Sequence, residues 1–443
     1  MMSTRQFLGV ALVLCLLVAG AGPAQAATEI QWWHAMDSAL GEWVNDLAAG
    51  FNKSQTEFKV VAVYKGTYPE TMTGAIAAFR AKQQPHIVQV FEVGTATMMS
   101  AKGAIKPVYE LMAEAGERFD PKAYLAAVTG YYTTADGRML SLPLNSSTPV
   151  LYYNKDAFKK AGLDPAKPPK TWPEMGEYGK KLQASGLPCG FSSQWQQWIL
   201  LENYSAWHNV PFATKANGFA GLDTELRFNS PLHVRLIQQL AEWQKTKTFD
   251  YGGRRGDANP KFATGECGMF LASSASYAGF VKATTGKFEF GITMMPYWPD
   301  VAGAPQNSII GGATLWVLAG HKPVEYAGVA KFFTYLSSPE VQAASHQRTG
   351  YLPITLAAYE LTKQQGFYQK NPGTDTSILQ MNHKPPTENS KGLRLGNLVQ
   401  IRDVMDEELE AVWAGKKSAK DALDSAVKRG NELLRQFERT NRS

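Results

Sequence analysis

The sequence of 443 residues predicts an α/β protein that is divided into two domains. Strand and helix patterns alternate along residues 30–91, which indicates a parallel sheet covered by helices on both faces. The chain is too long for one hydrophobic core of ordinary size. Its apolar fraction of 44% and charged fraction of 19% are typical of globular proteins. We therefore expect two α/β domains.

The first 26 residues have the pattern of a secretion signal peptide. Arg5 precedes an apolar run over residues 7–18, and residues 24–26 read Ala-Gln-Ala, the small residues that precede a cleavage site. The run is shorter than the roughly 20 residues of a membrane span. Cys15 lies inside the run, whereas a lipoprotein needs its cysteine just after it. We expect cleavage near Ala26 and a soluble exported protein; an uncleaved anchor is the alternative.

Three strands and two helices alternate at the start of the mature chain. The apolar spacing predicts strands at residues 30–33, 58–64 and 87–91 and helices at residues 40–51 and 70–82. This βαβαβ order requires the three strands to be parallel.

Two polar side chains lie just beyond the ends of predicted strands. Tyr68 comes soon after the second strand, and Glu92 comes directly after the third. Ligands of parallel α/β sheets bind beyond the carboxyl ends of the strands. Both residues are therefore candidates for a binding site, and solvated loop residues are the alternative interpretation.

A second group of α/β elements begins with a strand at residues 150–153 and a short helix that ends at Gly162. Thr171 and Glu174 have the spacing of a capping box, which predicts a helix that continues to about Gly186. Further patterns predict two strands and a long helical region at residues 288–295, 315–318 and 402–440.

Charge and cysteine content limit the classes of function. The formal net charge of +6 becomes +5 once Arg5 is removed with the signal peptide. The basic residues do not cluster, so a nucleic-acid partner is not expected. Cys189 and Cys267 remain in the mature chain, and an oxidising compartment would permit either a disulfide or two buried thiols.

The sequence contains none of the common catalytic motifs. It has no G-x-S-x-G, G-x-x-x-x-G-K-[ST], G-x-G-x-x-G or H-E-x-x-H, and its seven histidines are scattered. We therefore expect a binding protein without a metal or cofactor and without enzymatic activity.

Several stretches resemble the extracellular solute-binding proteins, family 1, of carbohydrate-type ABC importers. They are residues 152–158 (YYNKDAF), 161–163 (AGL), 168–172 (PPKTW) and 350–354 (GYLPI). Other stretches resemble in particular the members of this family that bind sn-glycerol 3-phosphate. These are residues 64–68 (YKGTY), 92–99 (EVGTATMM), 145–150 (NSSTPV), 304–307 (APQN), 309–312 (IIGG) and 391–397 (KGLRLGN).

The resemblance implies a two-lobed periplasmic-binding-protein fold of type II, in which the ligand cleft lies between lobes joined by crossover strands. We expect the first lobe at residues 27–138 plus 286–330 and the second at residues 139–285 plus 331–443.

The resemblance also implies a function and partners. The protein would be a periplasmic monomer that captures sn-glycerol 3-phosphate, and also glycerophosphodiesters such as glycerophosphocholine. It would deliver the ligand to the membrane permease and ATPase subunits of an ABC importer. An oligosaccharide-binding protein of the same fold is the alternative, because such sites use stacking aromatics and amides. A phosphoesterase would need a metal cluster or an activated nucleophile.

Eight ligand contacts are implied by the resemblance, at Tyr68, Glu92, Ser147, Trp195, Ser273, Gly312, Tyr351 and Arg402. Hydroxyls, a glycine N–H and a guanidinium would hold a phosphate dianion without a metal. Glu92 would accept from the glycerol hydroxyls and repel phosphate, while Trp195 covers the carbon chain. We therefore expect the phosphate at Arg402 and the glycerol at Glu92. Arg394 is the alternative to Arg402, and without the resemblance the two serines are more typical of caps or turns.

Overall fold

The computed structural model describes residues 26–134 and 136–442. The predicted signal peptide therefore lies outside the described residues, except for Ala26. No helix within the described ranges has both the length and the apolar character that a membrane crossing requires.

Ten strands occur in the described residues and form two sheets. In chain order they are β1 (Thr28–His34), β2 (Phe58–Tyr64), β3 (Ile87–Phe91), β4 (Ile105–Lys106), β5 (Leu142–Ser147), β6 (Pro149–Asn154), β7 (Cys189–Ser193), β8 (Cys267–Ser273), β9 (Phe290–Thr293) and β10 (Gly311–Leu318).

Helices cover both sheets. They are α1 (Ser38–Ser54), α2 (Tyr68–Arg80), α3 (Thr95–Ser100), α4 (Val108–Glu114), α5 (Ala126–Tyr132), α6 (Lys155–Lys160), α7 (Trp172–Ala184), α8 (Tyr204–Trp207), α9 (Thr214–Asn217), α10 (Pro231–Thr246), α11 (Asn259–Ala263), α12 (Ser276–Thr284), α13 (Pro323–Leu336), α14 (Pro339–Thr349), α15 (Leu356–Gln364), α16 (Phe367–Lys370), α17 (Thr376–Met381), α18 (Leu398–Trp413) and α19 (Ala419–Asn441). Short 3₁₀ turns occupy Glu92–Gly94 and Pro121–Ala123, and a π-helical turn occupies Trp198–Asn203.

The first sheet confirms the predicted βαβαβ start. Its strand order is β2-β1-β3-β10-β4, and β5 pairs with β10. Strand β1 pairs in parallel with both β2 and β3, whereas β10 runs antiparallel to β3. All five residues of β3 are buried, as expected for a central strand covered on both faces.

The second sheet has the strand order β7-β8-β6-β9. Cys189 of β7 and Cys267 of β8 are register partners on neighbouring parallel strands, and their sulfur atoms form a disulfide. Of the two states that the sequence left open, the structure therefore has the disulfide.

The predicted lobe boundaries need correction at the strands where the chain changes sheets. Strand β5 pairs within the first sheet and β6 within the second, so Thr148 alone links them. Strand β9 pairs with β6, so the return crossover runs from Thr293 to Gly311. The boundaries expected after residues 138 and 285 thus each lie one strand before the point where the chain changes sheets.

Helices α13 and α14 also belong with the first sheet, although residues from 331 onward were expected in the second lobe. Phe332 of α13 packs against Trp32 of β1 with 5.5 Å between ring centroids. Ser345 of α14 accepts a 3.0 Å hydrogen bond from the Trp43 indole of α1. Burial of these apolar faces on the first lobe explains the difference.

Candidate ligand-binding site

A cleft of about 1000 Å³ lies between the two sheets. The eight predicted site residues all line it: Tyr68, Glu92, Ser147, Trp195, Ser273, Gly312, Tyr351 and Arg402. They come from separate segments of the chain, so only the fold brings them together. The volume is at the upper end of the range for small-molecule sites, which leaves room for ligands larger than glycerol phosphate.

Three adjacent strand ends form one edge of the cleft. Glu92 follows β3, Gly312 belongs to β10 and Ser147 ends β5. In the register of the sheet, Phe91 faces Ala313 on one side of β10, and Ser147 faces Gly311 on the other. Since neighbouring strands are about 4.8 Å apart, the main chains of Glu92 and Ser147 lie about 10 Å from each other across the cleft edge.

Gly311 must be small because the Trp198 indole lies directly against it. A Cβ at Gly311 would come 2.4 Å from a carbon of that ring. The tryptophan therefore covers the strand end and forms one wall of the cleft.

A buried cluster of hydroxyl and amide groups lies behind this edge. The Asn145 side chain donates to the Tyr68 hydroxyl at 3.0 Å and accepts from the Gln89 amide at 2.8 Å. The Tyr68 ring stacks on Phe91 with 5.2 Å between centroids. Burial raises the pKa of Tyr351 to about 12 and raises the pKa of Tyr68 as well. Both phenols are therefore neutral donors near pH 7.

The capping box at the start of α2 positions Tyr68. Glu70 accepts from the Thr67 main-chain N–H at 2.7 Å and from its hydroxyl at 2.8 Å. Pro69 occupies the first turn, where its missing N–H costs nothing. The helix therefore begins at the residue that enters the cleft.

Ser147 and Ser273 approach the cleft from different sheets. Ser273 is the register partner of Pro149, so it lies close to the crossover that contains Thr148. Its hydroxyl oxygen accepts from the Ala275 N–H at 3.2 Å. The Ser147 hydroxyl has no hydrogen-bond partner among the described residues, and it is free to donate to a ligand.

Arg402 on α18 forms a buried ion cluster with two carboxylates. Its Nε and Nη2 atoms donate to Glu202 at 2.8 and 2.7 Å, and Nη2 also donates to Glu92 at 2.5 Å. Arg402, Glu92 and Glu202 are only 4%, 3% and 1% exposed. Glu92 and Arg402 therefore lie at the same end of the cleft, whereas the sequence predicts them at opposite ends of the ligand.

Burial and charge act in opposite directions in this cluster. Burial raises the pKa of Glu92, although Arg402 opposes the shift. Burial alone would lower the pKa of Arg402, but the carboxylates of Glu202 and Glu92 outweigh it and raise that pKa. Arg402 therefore stays charged inside the protein.

Arg394, the alternative to Arg402, does not line this cleft. Its Nη2 atom donates to the carbonyl oxygens of Gly130, Tyr131 and Thr133 at 3.0 to 3.1 Å. Its guanidinium lies 4.4 Å from the Phe219 ring centroid. These contacts join α5 to the segment that precedes α18, so Arg394 holds the fold together instead of facing the cleft.

Trp195 has a left-handed backbone, with φ of 41°. Its N–H donates to the Arg255 carbonyl at 2.8 Å, which fixes this conformation. The neighbouring Gln196 donates to the buried Asp406 at 3.0 Å and accepts from the Trp413 indole at 2.7 Å. The aromatic wall is thus anchored to α18.

Sequence reasoning missed Glu202 and the cations at the cleft margin, Arg254, Arg255 and Lys287. Glu202 follows the cleft residue Trp198 by four positions, but this spacing alone does not indicate the π-helical turn that directs Glu202 towards Arg402.

One cluster outside the cleft has metal-ligating residue types. A ring nitrogen of His86, one of His321 and a carboxylate oxygen of Glu325 lie within 4.8 Å of one another. His86 Nδ1 accepts a hydrogen bond from the Gln31 N–H at 3.0 Å, so the proton of the neutral ring is on Nε2, the atom that faces Glu325. A metal at Nε2 would have to displace the only N–H proton of the neutral ring while Nδ1 accepts from Gln31, which disfavours a metal site here.

Residues 46–376 match the family of bacterial extracellular solute-binding proteins. The chain is 56% identical over 418 residues to the sn-glycerol-3-phosphate-binding periplasmic protein UgpB of Pectobacterium atrosepticum, with 94% of each chain covered. It is 54% identical over 431 residues to the protein of the same name from Escherichia coli K12, with 97% of this chain and 98% of the relative covered.

Solved structures show the same two-lobed fold. UgpB of Mycobacterium tuberculosis in complex with glycerophosphocholine has a TM-score of 0.78 at 22% identity, with 93% of this chain and 99% of that chain covered. Maltose-bound MalE3 of T. maritima has a TM-score of 0.74 at 18% identity, with 92% and 100% covered.

Proposed function

This chain belongs to the bacterial extracellular solute-binding protein family, and we propose that it captures sn-glycerol 3-phosphate in the periplasm for an ABC importer. Relatives that share more than half of its residues over nearly the whole chain are named as periplasmic proteins that bind sn-glycerol 3-phosphate. Glycerophosphodiesters are further ligands, because the cleft has room for a second substituent on the phosphate.

The arrangement of groups along the cleft edge is the observation that carries the proposal. One end has Glu92, a carboxylate acceptor suited to hydroxyl groups. The strand end with Ser147 lies about two strand spacings away, and Ser273 of the second sheet pairs with Pro149, two residues after Ser147. A short polyol with a phosphate at one end matches this order of acceptors and donors.

We assign the phosphate to the donors at the Ser147 end. The main-chain N–H of Gly312 and the neutral hydroxyls of Tyr351 and Ser273 complete this set. Trp195 covers the carbon chain of the ligand. Arg402 contributes mainly by holding Glu92, since two of its nitrogen atoms are already bonded to carboxylates.

The remaining parts of the proposal concern cellular context. The mature protein begins after residue 26, acts as a monomer, and passes its ligand to permease and ATPase subunits of the importer. It does not turn the ligand over, because binding and release are sufficient for delivery. Incubation with glycerol phosphate or glycerophosphocholine should therefore release neither phosphate nor choline.

Calorimetric titration of the purified mature protein tests the function. We expect saturable binding of sn-glycerol 3-phosphate, much weaker binding of glycerol and of inorganic phosphate, and none of maltose. Thermal stability should rise with glycerol phosphate, because a ligand that binds only the native state stabilises it. Binding of maltose without binding of glycerol phosphate would establish the oligosaccharide alternative.

A further inference from the structure

The ion cluster leaves Arg402 without a net positive charge to offer a ligand. With Glu92 and Glu202 ionised, one guanidinium and two carboxylates sum to one net negative charge. If Glu92 takes up a proton, as its raised pKa favours, the cluster is neutral. In neither state does it attract a phosphate dianion by its net charge.

We propose that Glu202 is a positioning residue that sets the direction in which the ligand binds. It fixes the Arg402 guanidinium from the protein interior and cancels its charge, so the Glu92 end of the cleft accepts hydroxyls and rejects phosphate. Glu202 itself is 1% exposed and is not among the described residues that line the cleft. This inference rests on the proposed binding of glycerol phosphate.

Glu202 belongs to the π-helical turn at Trp198–Asn203, and contacts at both ends of the turn hold it in place. At its start, Trp198 packs against Gly311 at the cleft edge. At its end, the Asn203 side chain accepts from the Ile309 N–H at 2.9 Å and donates to the Trp198 carbonyl at 3.3 Å. The turn is therefore tied both to the aromatic wall and to the crossover that leads into β10.

The π-helical turn also affects the direction of the side chains around it. A π-helical turn holds one more residue than an α-helical turn, which rotates the following side chains relative to the preceding ones. Within this turn, Trp198 lines the cleft, and Glu202, four residues later, bonds to Arg402. Such turns are frequent at functional sites.

The test is the selectivity of Glu202→Gln, measured by calorimetry as the ratio of the Kd for inorganic phosphate to the Kd for sn-glycerol 3-phosphate. Removing one negative charge makes the cluster neutral or positive, so phosphate is no longer repelled from the Glu92 end. We expect the Kd for glycerol phosphate to rise about tenfold and the Kd for inorganic phosphate to fall, so the ratio should fall by more than about tenfold.

Glu408→Gln is the matched control. Glu408 is also a buried carboxylate, it lies on the same helix as Arg402, and it is bonded to Lys417 and Arg429 at 2.5 and 2.9 Å, but it does not line the cleft. Its variant should keep the wild-type ratio. Glu202→Asp keeps the charge, so its ratio should stay within about threefold of the wild-type ratio.

A folded Glu202→Gln protein with the wild-type ratio would overturn the inference, as would an equal change in Glu408→Gln. If Glu202→Gln does not fold, Glu202→Asp decides, since a large loss of selectivity with the charge retained contradicts the role of charge. Failure of the wild-type protein to bind glycerol phosphate would instead refute the proposed function.

Discussion

The α-carbon of Gly312 packs closely against the carbonyl oxygen of Asn145. A Cβ at this position would come within 1.9 Å of that oxygen, and the backbone has a φ of +94°. Only glycine can occupy this position without moving β10 away from β5. Because Ser147 follows two residues after Asn145, the same contact fixes the spacing of the donors at the cleft edge.

Gly312→Ala should therefore lower both stability and affinity. Backbone strain alone should lower the free energy of unfolding by about 1 to 3 kcal/mol, and the clash with Asn145 should add to this loss. The Kd for glycerol phosphate should rise, because the Gly312 N–H moves with the strand. Denaturant unfolding and calorimetry measure the two effects.

Gly303→Ala is a control that separates the effect of backbone strain from the effect of a clash with Asn145. Gly303 has a similar φ of +82°, but nothing lies within 4 Å of its added Cβ. This control should lose some stability and keep its affinity. Equal behaviour of the two variants would mean that the contact with Asn145 is unimportant.

Loss of the disulfide should lower stability without changing the site. Cys189 and Cys267 are separated by 78 positions, and replacing both by alanine should cost about 2 to 5 kcal/mol in unfolding free energy. Cys267 starts β8 and Ser273 ends it, about 20 Å away along the strand. Calorimetry of the folded double variant should give the wild-type Kd; a weakened Kd would show that the bond also shapes the cleft.

The sequence allowed prediction of the early strands because β1, β2 and β3 alternate with helices in a regular local pattern. The lobe boundaries were less predictable. Strand β5 is connected to β6 by a single residue, and no composition change marks the point where the chain enters the other sheet. Pairing partners of strands are long-range properties that local periodicity does not contain.

The sequence predicted residues that share one cleft, but it did not predict their contacts with one another. Tyr68, Glu92 and Gly312 follow or form strand ends, so resemblance and topology pointed to the same residues. The pairing of Glu92 with Arg402 joins residues 310 positions apart, and Glu202 enters through an irregular turn. Residue type alone therefore did not reveal that Glu92 and Arg402 are in contact.

Arg402→Ala should destabilise the fold as well as weaken binding. It leaves Glu92 and Glu202 buried without a cation, which typically costs about 3 to 5 kcal/mol. Arg402→Lys should recover only part, because an ammonium group cannot reproduce the two-pronged contact with Glu202. Denaturant unfolding and titration with glycerol phosphate measure both properties.

Arg394→Ala provides the comparison. It also removes a guanidinium bonded to several partners, the carbonyl groups near α5, but from outside the cleft. We expect this variant to lose stability and retain its affinity for glycerol phosphate. Loss of affinity in Arg394→Ala, with Arg402→Ala unaffected, would place the functional arginine at position 394.

Asp406 should make stability depend on pH. Burial raises its pKa from 3.8 to about 6, against the hydrogen bond from Gln196. The native chain therefore holds this proton more tightly than the unfolded chain. The stabilisation is complete below about pH 4 and is lost as the pH rises through about 6.

Asp406→Asn removes this dependence and keeps an acceptor for Gln196. We expect the stability of the variant relative to wild type to increase by about 1 to 3 kcal/mol between pH 4 and pH 7.5. Urea unfolding of both proteins at both pH values gives this difference directly, because groups that titrate alike in both proteins cancel. The same difference at the two pH values would contradict the assignment.

The two ends of the cleft edge should respond differently to substitution. Ser147→Ala removes a donor to the phosphate. It should therefore weaken the binding of sn-glycerol 3-phosphate and of inorganic phosphate alike, by about 1.5 to 3 kcal/mol. Glu92→Gln removes an acceptor for glycerol hydroxyls and a charge that repels phosphate. It should therefore weaken the binding of glycerol phosphate, while the binding of inorganic phosphate stays the same or becomes tighter. Calorimetry with both ligands, after circular dichroism has confirmed folding, gives the selectivity of each variant. If Ser147→Ala leaves the binding of inorganic phosphate unchanged while Glu92→Gln weakens it, the ligand lies in the opposite direction along the cleft, with its phosphate beside Arg402.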